Sequence, residues 1–170
     1  MRLETRRAVI GDEEVLRDLR VQALTDAPEA FGSTLERELA RTTEDWQKWL
    51  APGMTTILLA EGQPRGLVAG VYDVVDRRVV HLMAMWVHSA VRGSGAANLL
   101  VTAVKDWAAE VGASQVRLNV VESNVRARRC YERAGFRATG RRGIVAKSGD
   151  IQIEMAWMIG EGTLDAMAEP

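Results

Sequence analysis

Residues 90–97 read Ala90-Val-Arg-Gly-Ser-Gly-Ala-Ala97 and lie between an apolar run and a helical pattern. The preceding run, Val79 to Val87, has the composition of a strand, so the stretch joins a strand to a helix. Glycines at 93 and 95 allow a tight turn and a close approach of a ligand to the backbone. The first free N–H groups of the helix would face an anion there, with Arg92 beside them. An ordinary glycine turn before a helix explains the same residues, so this motif needs support from elsewhere in the chain.

The composition is that of one globular domain without a strong charge bias. The chain has 170 residues, of which 47% are hydrophobic and 26% charged, and its formal net charge is -1. This balance gives no general attraction to nucleic acid or to an anionic membrane, and no apolar run approaches the ~20 residues that span a bilayer. Cys130 is the single cysteine, which excludes an internal disulfide, and we expect no signal peptide. These features predict a cytoplasmic protein with neither a nucleic-acid nor a membrane partner.

Hydrophobic periodicity predicts the element order β-α-α-β-β-β-α-β-α-β-β. The predicted strands are 2–9, 55–60, 67–75, 79–87, 115–121, 136–140 and 151–159, and the predicted helices are 13–24, 43–50, 97–111 and 124–134. The clearest helical stripe consists of Ala97, Leu100, Val104, Trp107 and Val111. We expect residues 161–170 to be a frayed C-terminal tail.

A second motif follows the predicted strand 115–121. Asn124, Ala127, Tyr131, Gly135 and Phe136 stand at the spacing Asn-x-x-Ala-x-x-x-Tyr-x-x-x-Gly-Phe. Together with the glycine stretch that begins at Arg92, these residues resemble the GCN5-related N-acetyltransferase (GNAT) superfamily. The resemblance implies a single α+β domain over residues 1–160, with a mixed, mainly antiparallel, twisted sheet flanked by helices. It also implies two central parallel strands that splay apart to hold acetyl-CoA.

The resemblance implies that acetyl-CoA is the co-substrate and that no metal takes part. The pantetheine arm would bind backbone groups at the end of strand 79–87, and the pyrophosphate would lie on the glycine stretch. The residues implied to bind the cofactor are Met85, Trp86, Val87, Arg92, Gly93, Ser94, Gly95, Ala96, Ala97 and Asn124. The expected reaction moves the acetyl group directly to a primary amine of a small molecule or of a protein or peptide. Transfer of a different acyl group and a non-catalytic coenzyme A-binding module are the alternatives.

Tyr131 is the implied general acid, because the superfamily commonly uses the tyrosine at this motif position to protonate the coenzyme A sulfur. A phenol of ordinary pKa, near ~10, is protonated at neutral pH and able to donate. The alternative is an aromatic core residue, since Ala127 and Ala134 share its helical face.

His81 is the candidate base that would deprotonate the incoming amine. Strict alternation along Val79 to Val87 places His81, Met83, Met85 and Val87 on one face of the strand. In the histone-acetylating branch of the superfamily a glutamate stands at about the level of His81, and an imidazole with a pKa near ~6.5 could take that role. The alternatives are a histidine that only hydrogen-bonds at the sheet surface, Glu122 or His88 as base, and a water chain without a dedicated base.

Two features of the helix around Tyr131 have a functional and a plain interpretation. Arginines 126, 128, 129 and 133 could reach the 3'-phosphate of coenzyme A or could form a solvated basic face. Cys130 is next to Tyr131 in sequence, but a helix turns by about 100° per residue, so we expect its side chain to point away from that of Tyr131 and do not expect it to carry the acyl group.

The acceptor amine is expected between the first two helices, the strand around His81 and the final hairpin. Asp26, Glu29, Glu36 and Glu38 make the first of these regions acidic, which suits an amine and also suits plain solubility. Trp46 and Trp49 could line an acceptor pocket. The apolar strand 151–159 is predicted to leave a sticky edge, which favours a homodimer.

Overall fold

The computed structural model describes residues 1–160, so the tail predicted for 161–170 lies outside the described residues. The strands are β1 (Leu3–Arg7), β2 (Met54–Ala60), β3 (Gln63–Tyr72), β4 (Val79–Val87), β5 (Gln115–Val121), β6 (Arg137–Ile144) and β7 (Ile151–Met158). The helices are α1 (Glu13–Asp26), α2 (Leu35–Leu39), α3 (Thr43–Gln47), α4 (Ala96–Glu110) and α5 (Val125–Arg133). The domain is α+β, as the sequence predicts.

The seven strands form one mixed sheet in the order β1-β2-β3-β4-β5-β7-β6. Neighbouring strands are antiparallel except β4 and β5, which are parallel. The parallel pairing covers Val79–His81 against Gln115–Arg117 and then ends. Beyond this point the two strands no longer share hydrogen bonds, which confirms the predicted splayed pair. The facing edges of β4 and β5 therefore keep backbone groups that no neighbouring strand satisfies.

Helices cover the sheet on both sides and create two apolar clusters. On one side α4 buries Leu100, Val104 and Trp107 against β2, β3 and β4, as its helical stripe predicts. On the other side α1 contributes Leu16 and Leu19 to a smaller cluster. The remaining members of this second cluster are Ala8, Ala23, Trp46, Ile57, Leu67 and Trp86. The open end of the sheet between β4 and β5 thus lies between α4 on one face and α1 on the other.

A β-bulge interrupts the strict alternation of side chains that was predicted along β4. Leu67 pairs with Trp86 but Ala69 pairs with Met83, so β4 holds one extra residue between these pairs. Ala84 lies in the bulge with a φ of 56°. One inserted residue exchanges the two faces of the strand beyond it. His81 therefore lies on the α1 face of the sheet, whereas Met85 packs on the α4 face, and the prediction that these two side chains share a face is wrong.

Several element boundaries differ from the sequence expectation. β3 begins at Gln63 rather than 67 and ends at Tyr72 rather than 75, so only Glu61 and Gly62 separate β2 from β3. β6 continues to Ile144 instead of ending at 140, and the short α2 was not predicted. α3 begins as predicted, with a capping box formed by Thr42 and Asp45. It ends at Gln47, three residues before its predicted end.

β7 is an interior strand, so the structural reason given for a homodimer is wrong. It pairs with β5 along one edge and with β6 along the other. Both of its edges are therefore hydrogen-bonded within the chain, and the predicted sticky edge does not exist there.

Candidate active site

A cleft of about 1080 Å³ opens where β4 and β5 splay apart. Its cofactor-side lining includes most of the predicted cofactor residues, namely Met85, Trp86, Val87, Arg92, Gly93, Gly95, Ala97 and Asn124. Ser94 and Ala96 are not among the lining residues. The Ser94 hydroxyl donates to the carbonyl of Val91 at 2.5 Å, and Ala96 is 1% exposed in the core. These two residues build the turn, whereas their neighbours face the cleft.

The N-terminus of α4 offers an open cradle for an anion. Gly95 caps this helix with a φ of 89°, in the left-handed region that glycine adopts without strain. No side chain caps the helix, so the first N–H groups have no side-chain acceptor. A Cβ added at Gly93 or Gly95 would meet no atom within 4 Å. The space over both glycines is therefore free for a ligand, as a phosphate site requires.

Arg92 is held by the protein itself. Its Nε donates to the carbonyl of Val87 at 2.9 Å, and its Nη2 pairs with the carboxylate of Asp26. The same carboxylate accepts the indole N–H of Trp86 at 2.9 Å. These bonds, that of Trp86 first, hold the pKa of Asp26 below its usual value. Arg92 thus ties the end of β4 to the end of α1, a role that the sequence analysis, which placed Arg92 beside an anion, did not predict.

An acidic residue at the end of α1 was the available signal for this arrangement. The C-terminus of a helix carries a partial negative charge, so a carboxylate in its last turn is disfavoured unless it has a specific cationic partner. Asp26 stands at that position and has no basic residue in the same turn. The sequence analysis counted it only as part of an acidic region.

Asn124 positions the helix that carries Tyr131. Its Oδ1 accepts the N–H of Ala127 at 3.1 Å, which is the bond of a helix N-cap. At the other end of α5 the N–H of Phe136 donates to the carbonyl of Tyr131 at 3.0 Å. The spaced residues of the second motif therefore fix both ends of one short helix.

Tyr131 belongs both to the core and to the cleft. Its side chain packs edge-on against Phe136, with ring centroids 5.9 Å apart, and the residue is 8% exposed. It also lines the cleft, and its hydroxyl has no hydrogen-bond partner among residues 1–160. Burial raises the pKa of Tyr131 well above its ordinary value, since the phenolate would be poorly solvated. The hydroxyl is therefore a protonated donor at physiological pH.

The arginines of α5 differ in what they face. Arg126 and Arg133 line the cleft, whereas Arg128 donates to the carbonyl of Glu122 at 3.1 Å. Cys130, the neighbour of Tyr131 on α5, also lines the cleft. Burial raises the pKa of the Cys130 thiol, an effect that the nearby Arg133 and Arg126 oppose. A thiol with a raised pKa is a poor nucleophile at neutral pH.

His81 and the other candidate bases lie away from the cleft lining. The Nε2 atom of His81 is 2.8 Å from Oδ2 of Asp73, and His81 is not among the residues that line the cleft. Glu122 pairs with Arg142 at 2.7 Å, and Nδ1 of His88 accepts the N–H of Ala90 at 3.1 Å. The structure thus gives each candidate base a partner of its own.

The acceptor region is less acidic than the sequence suggests. Glu38 is fully buried, where it pairs with Arg41 at 2.7 Å and Arg20 at 3.6 Å. Asp26 is paired with Arg92, which leaves Glu29 and Asp150 as the cleft-lining carboxylates without a salt-bridge partner among residues 1–160. Trp46 is 2% exposed, and neither it nor Trp49 lines the cleft.

Within residues 1–160, no group of His, Cys, Asp and Glu side chains has the arrangement of a metal site. The same residues include no helix long and apolar enough to cross a membrane.

A sequence profile described as the acetyltransferase (GNAT) family matches residues 17–136, which is most of the chain and includes both motifs. The chain belongs to the GNAT family. Among curated relatives, an uncharacterized N-acetyltransferase of Mycobacterium bovis is 31% identical over 116 residues. The match covers 68% of this chain and 73% of that protein, and an uncharacterized N-acetyltransferase of Mycobacterium tuberculosis matches equally well.

Solved structures of GNAT acetyltransferases share this fold. An acetyltransferase of the GNAT family from Streptococcus pneumoniae has a TM-score of 0.79 at 20% identity, covering 94% of this chain and all (100%) of that one. A putative acetyltransferase from Salmonella typhimurium, solved with its cofactor acetyl-CoA, has a TM-score of 0.78 at 18% identity. That match covers 95% of this chain and 96% of the other. The membership supports a transferase, and the fold agrees over nearly the whole chain.

Proposed function

We propose that this GNAT protein is an N-acetyltransferase that moves the acetyl group of acetyl-CoA directly to a primary amine of a small molecule or of a protein or peptide. The observation that carries the proposal is that one cleft is lined both by the glycine cradle at α4 and by Tyr131. A binding site for the pyrophosphate and a proton donor for the thiolate are needed in the same cleft for this reaction.

Backbone groups would hold most of the cofactor. The free N–H groups at the start of α4 suit the pyrophosphate, because they combine open donors with the positive end of the helix dipole. The unpaired edge of β4 near Met85 and Val87 offers hydrogen bonds to the amides of the pantetheine arm. Arg126 and Arg133 add positive charge on the opposite wall, where the 3'-phosphate of coenzyme A could bind.

The transfer requires one bond to form and one to break. The neutral amine attacks the thioester carbonyl and forms the C–N bond, and a main-chain N–H near Val87 would polarise the carbonyl oxygen. The C–S bond then breaks, and the hydroxyl of Tyr131 gives its proton to the coenzyme A thiolate. The proton lost by the acylated nitrogen passes through the water of the cleft and restores the tyrosine hydroxyl. The raised pKa of Tyr131 keeps its hydroxyl protonated at neutral pH, but it also makes the phenol a weaker acid, so the transfer requires the thiolate to lie next to the hydroxyl.

The proposal assigns no side chain as the base. His81 is held by Asp73 outside the cleft lining, so it could act on the amine only through intervening water. Proton loss to the water of the open cleft accounts for the neutral amine, since each candidate base has a partner elsewhere.

An acetylation screen tests the proposal. Purified protein is incubated with acetyl-CoA and, separately, a polyamine, an aminoglycoside, free amino acids and peptides with free N-termini. Thiol release is measured and the acetylated product is identified by mass spectrometry. We expect thiol release that depends on one of these amines and a mass increase of one acetyl group on that amine. Tight binding of coenzyme A with no transfer from acetyl-CoA or longer acyl-CoA to any amine would instead indicate a binding module.

A further inference from the structure

Two segments from distant parts of the chain face each other at one end of the cleft. The first, here named the acceptor wall, is residues 27–33, which include the cleft-lining Glu29, Ala30 and Phe31. The second is the turn of residues 145–150 between β6 and β7, from which Asp150 lines the cleft. Their cleft-lining carboxylates, Glu29 and Asp150, have no salt-bridge partner among residues 1–160, which suits the binding of a cationic amine acceptor between the two segments.

A single side chain joins the two segments. Lys147 donates from Nζ to the carbonyl of Pro28 at 2.8 Å and to the carbonyl of Ser33 at 2.6 Å. Among residues 1–160 these are the side-chain hydrogen bonds that connect the turn to the acceptor wall. A lysine ammonium carries three donors and a full charge, so its bonds to two carbonyls are stronger than neutral ones.

The turn that presents Lys147 is itself well anchored. The N–H of Val145 donates to the carbonyl of Asp150 at 2.8 Å, and the N–H of Gly149 donates to the carbonyl of Val145 at 2.8 Å. Val145 is 7% exposed, whereas Lys147 is exposed. The buried valine fixes the base of the turn and leaves the lysine at its tip free to reach across.

The acceptor wall has little regular structure to hold it in place. A three-residue 3₁₀ turn over Pro28–Ala30 is its only regular element among the described residues. Its ends are anchored by Asp26, which bonds to Trp86, and by Ser33, whose hydroxyl donates to Glu38. Between these anchors Phe31 packs against the apolar cluster on the α1 side, with its ring centroid 4.9 Å from the Arg20 guanidinium, and Lys147 adds the two hydrogen bonds that reach the wall from the turn. Because the wall has few hydrogen bonds of its own, it is expected to open more readily without those of Lys147.

We infer that Lys147 is a positioning residue that holds the acceptor wall against the turn 145–150 and thereby determines how well an amine acceptor is bound. The inference rests on the proposed function. Lys147 touches neither the cradle nor Tyr131, so its removal changes the acceptor end of the cleft and leaves the cofactor end intact. The expected signature is a higher KM for the acceptor with unchanged affinity for coenzyme A.

Three variants test the role of Lys147. Lys147→Met keeps the length of the side chain and removes the donors, whereas Lys147→Arg keeps donors and charge. Lys48→Met is the matched control, since Lys48 forms a surface pair with Asp45 on α3 and its side chain is 76% exposed. Amide hydrogen exchange of the segment 28–33 is measured for each, mainly at Ala30 and Phe31, whose N–H groups are hydrogen-bonded. Coenzyme A affinity by calorimetry and the acceptor KM are measured as well.

For Lys147→Met we expect exchange at residues 28–33 to become about tenfold faster and the acceptor KM to rise about tenfold, equivalent to ~1.4 kcal/mol of lost positioning. Coenzyme A affinity should change less than about twofold, Lys147→Arg should recover part of the loss, and Lys48→Met should match the parent. Unchanged exchange at 28–33 in Lys147→Met would overturn the inference, and so would faster exchange with an unchanged acceptor KM. Failure of the parent to acetylate any amine would contradict the proposed function instead, while the exchange data would still test the bond to the wall.

Discussion

The indole N–H of Trp86, a residue 6% exposed at the end of β4, donates to the carboxylate of Asp26 at 2.9 Å. This bond joins the end of α1 to the strand that borders the cleft, and Asp26 also pairs with Arg92 of the glycine stretch. A contact between residues so far apart in sequence therefore fixes the position of the cradle relative to the first helix.

Removing the carboxylate of Asp26 should destabilise the fold. Asp26→Ala leaves a buried indole N–H without a partner, and we expect a loss of about 1–3 kcal/mol in the free energy of unfolding, measured with urea. Asp26→Asn keeps an acceptor for the indole and should lose less. In a Trp86→Phe background the Asp26→Ala change should be cheaper, because no N–H remains to be stranded. An equal loss in both backgrounds would contradict the importance of this bond.

Gly95→Val tests the cradle. Valine at a φ of 89° is strained, and its side chain would occupy the open space in which we place the pyrophosphate. We expect coenzyme A affinity, measured by calorimetry, to fall at least about tenfold while the protein remains folded.

The matched control for this variant is Gly112→Val at the other end of α4. Gly112 has a φ of 75° and equally open surroundings, but it does not line the cleft. It should lose a comparable ~1–2 kcal/mol of stability and keep its coenzyme A affinity. If both variants bound coenzyme A like the parent, the cradle assignment would fail.

Cys130 provides a chemical probe of the cleft, because it is the only cysteine in the chain. Burial raises its pKa, so alkylation by iodoacetamide should be slow at pH 7 and accelerate as the pH rises above the ordinary thiol pKa of ~8.5. Coenzyme A should slow the alkylation further, since Cys130 lines the cleft in which it is proposed to bind. Intact-protein mass spectrometry measures both effects. Alkylation that is indifferent to saturating coenzyme A would place the cofactor elsewhere.

The ion pair between Asp12 and Arg6 should make the stability of the fold depend on pH. Its carboxylate accepts two bonds from Arg6, at 2.7 and 2.8 Å, and these lower the pKa of Asp12. A carboxyl group with a lowered folded-state pKa stabilises the fold above its unfolded pKa of about 3.9, and this contribution is lost as the pH falls through the folded value. Asp12→Asn should therefore cost about 1–2 kcal/mol at pH 7 and much less near pH 2.

Urea denaturation at both pH values measures this dependence, with Asp18→Asn as the control. Asp18 is an exposed residue of α1, the helix that begins directly after Asp12, and it makes no side-chain hydrogen bond among residues 1–160. A cost for Asp12→Asn that is equal at the two pH values would show that the carboxylate charge is not the stabilising feature.

The sequence contains enough local information to predict most of the elements and the residues that line the cleft around the glycine stretch and Tyr131. Residues 92–97 and 124–136 each combine a helix end with a ligand-facing group, and local spacing shows this without a structure. Local spacing does not show the bulge at Ala84, because the extra residue is defined only by pairing with β3. The prediction that His81 and Met85 share a face failed for this reason, since one inserted residue exchanges the faces of the strand.

Long-range contacts account for the other differences. β7 is an interior strand because β6 pairs along its second edge. The sequence does not show this, since a run of apolar residues has the same composition at an edge or inside a sheet. The roles of Asp26 and Lys147 rest on bonds to residues more than 60 and more than 110 positions away, as their partners Arg92, Pro28 and Ser33 show. The acidic end of α1 indicates that Asp26 needs a cationic partner, but no local pattern identifies the residue that supplies it.

The most direct test of the account is the turnover of Tyr131→Phe with the best amine from the acetylation screen. The phenylalanine ring keeps the contact with Phe136, so coenzyme A affinity and stability should change little. Without the hydroxyl the thiolate loses its proton donor, and we expect kcat to fall about a hundredfold or more while KM for acetyl-CoA stays near the parent value. A variant that turns over at nearly the parent rate, with the chemical step shown to limit both enzymes, would make Tyr131 a packing residue and contradict the mechanism.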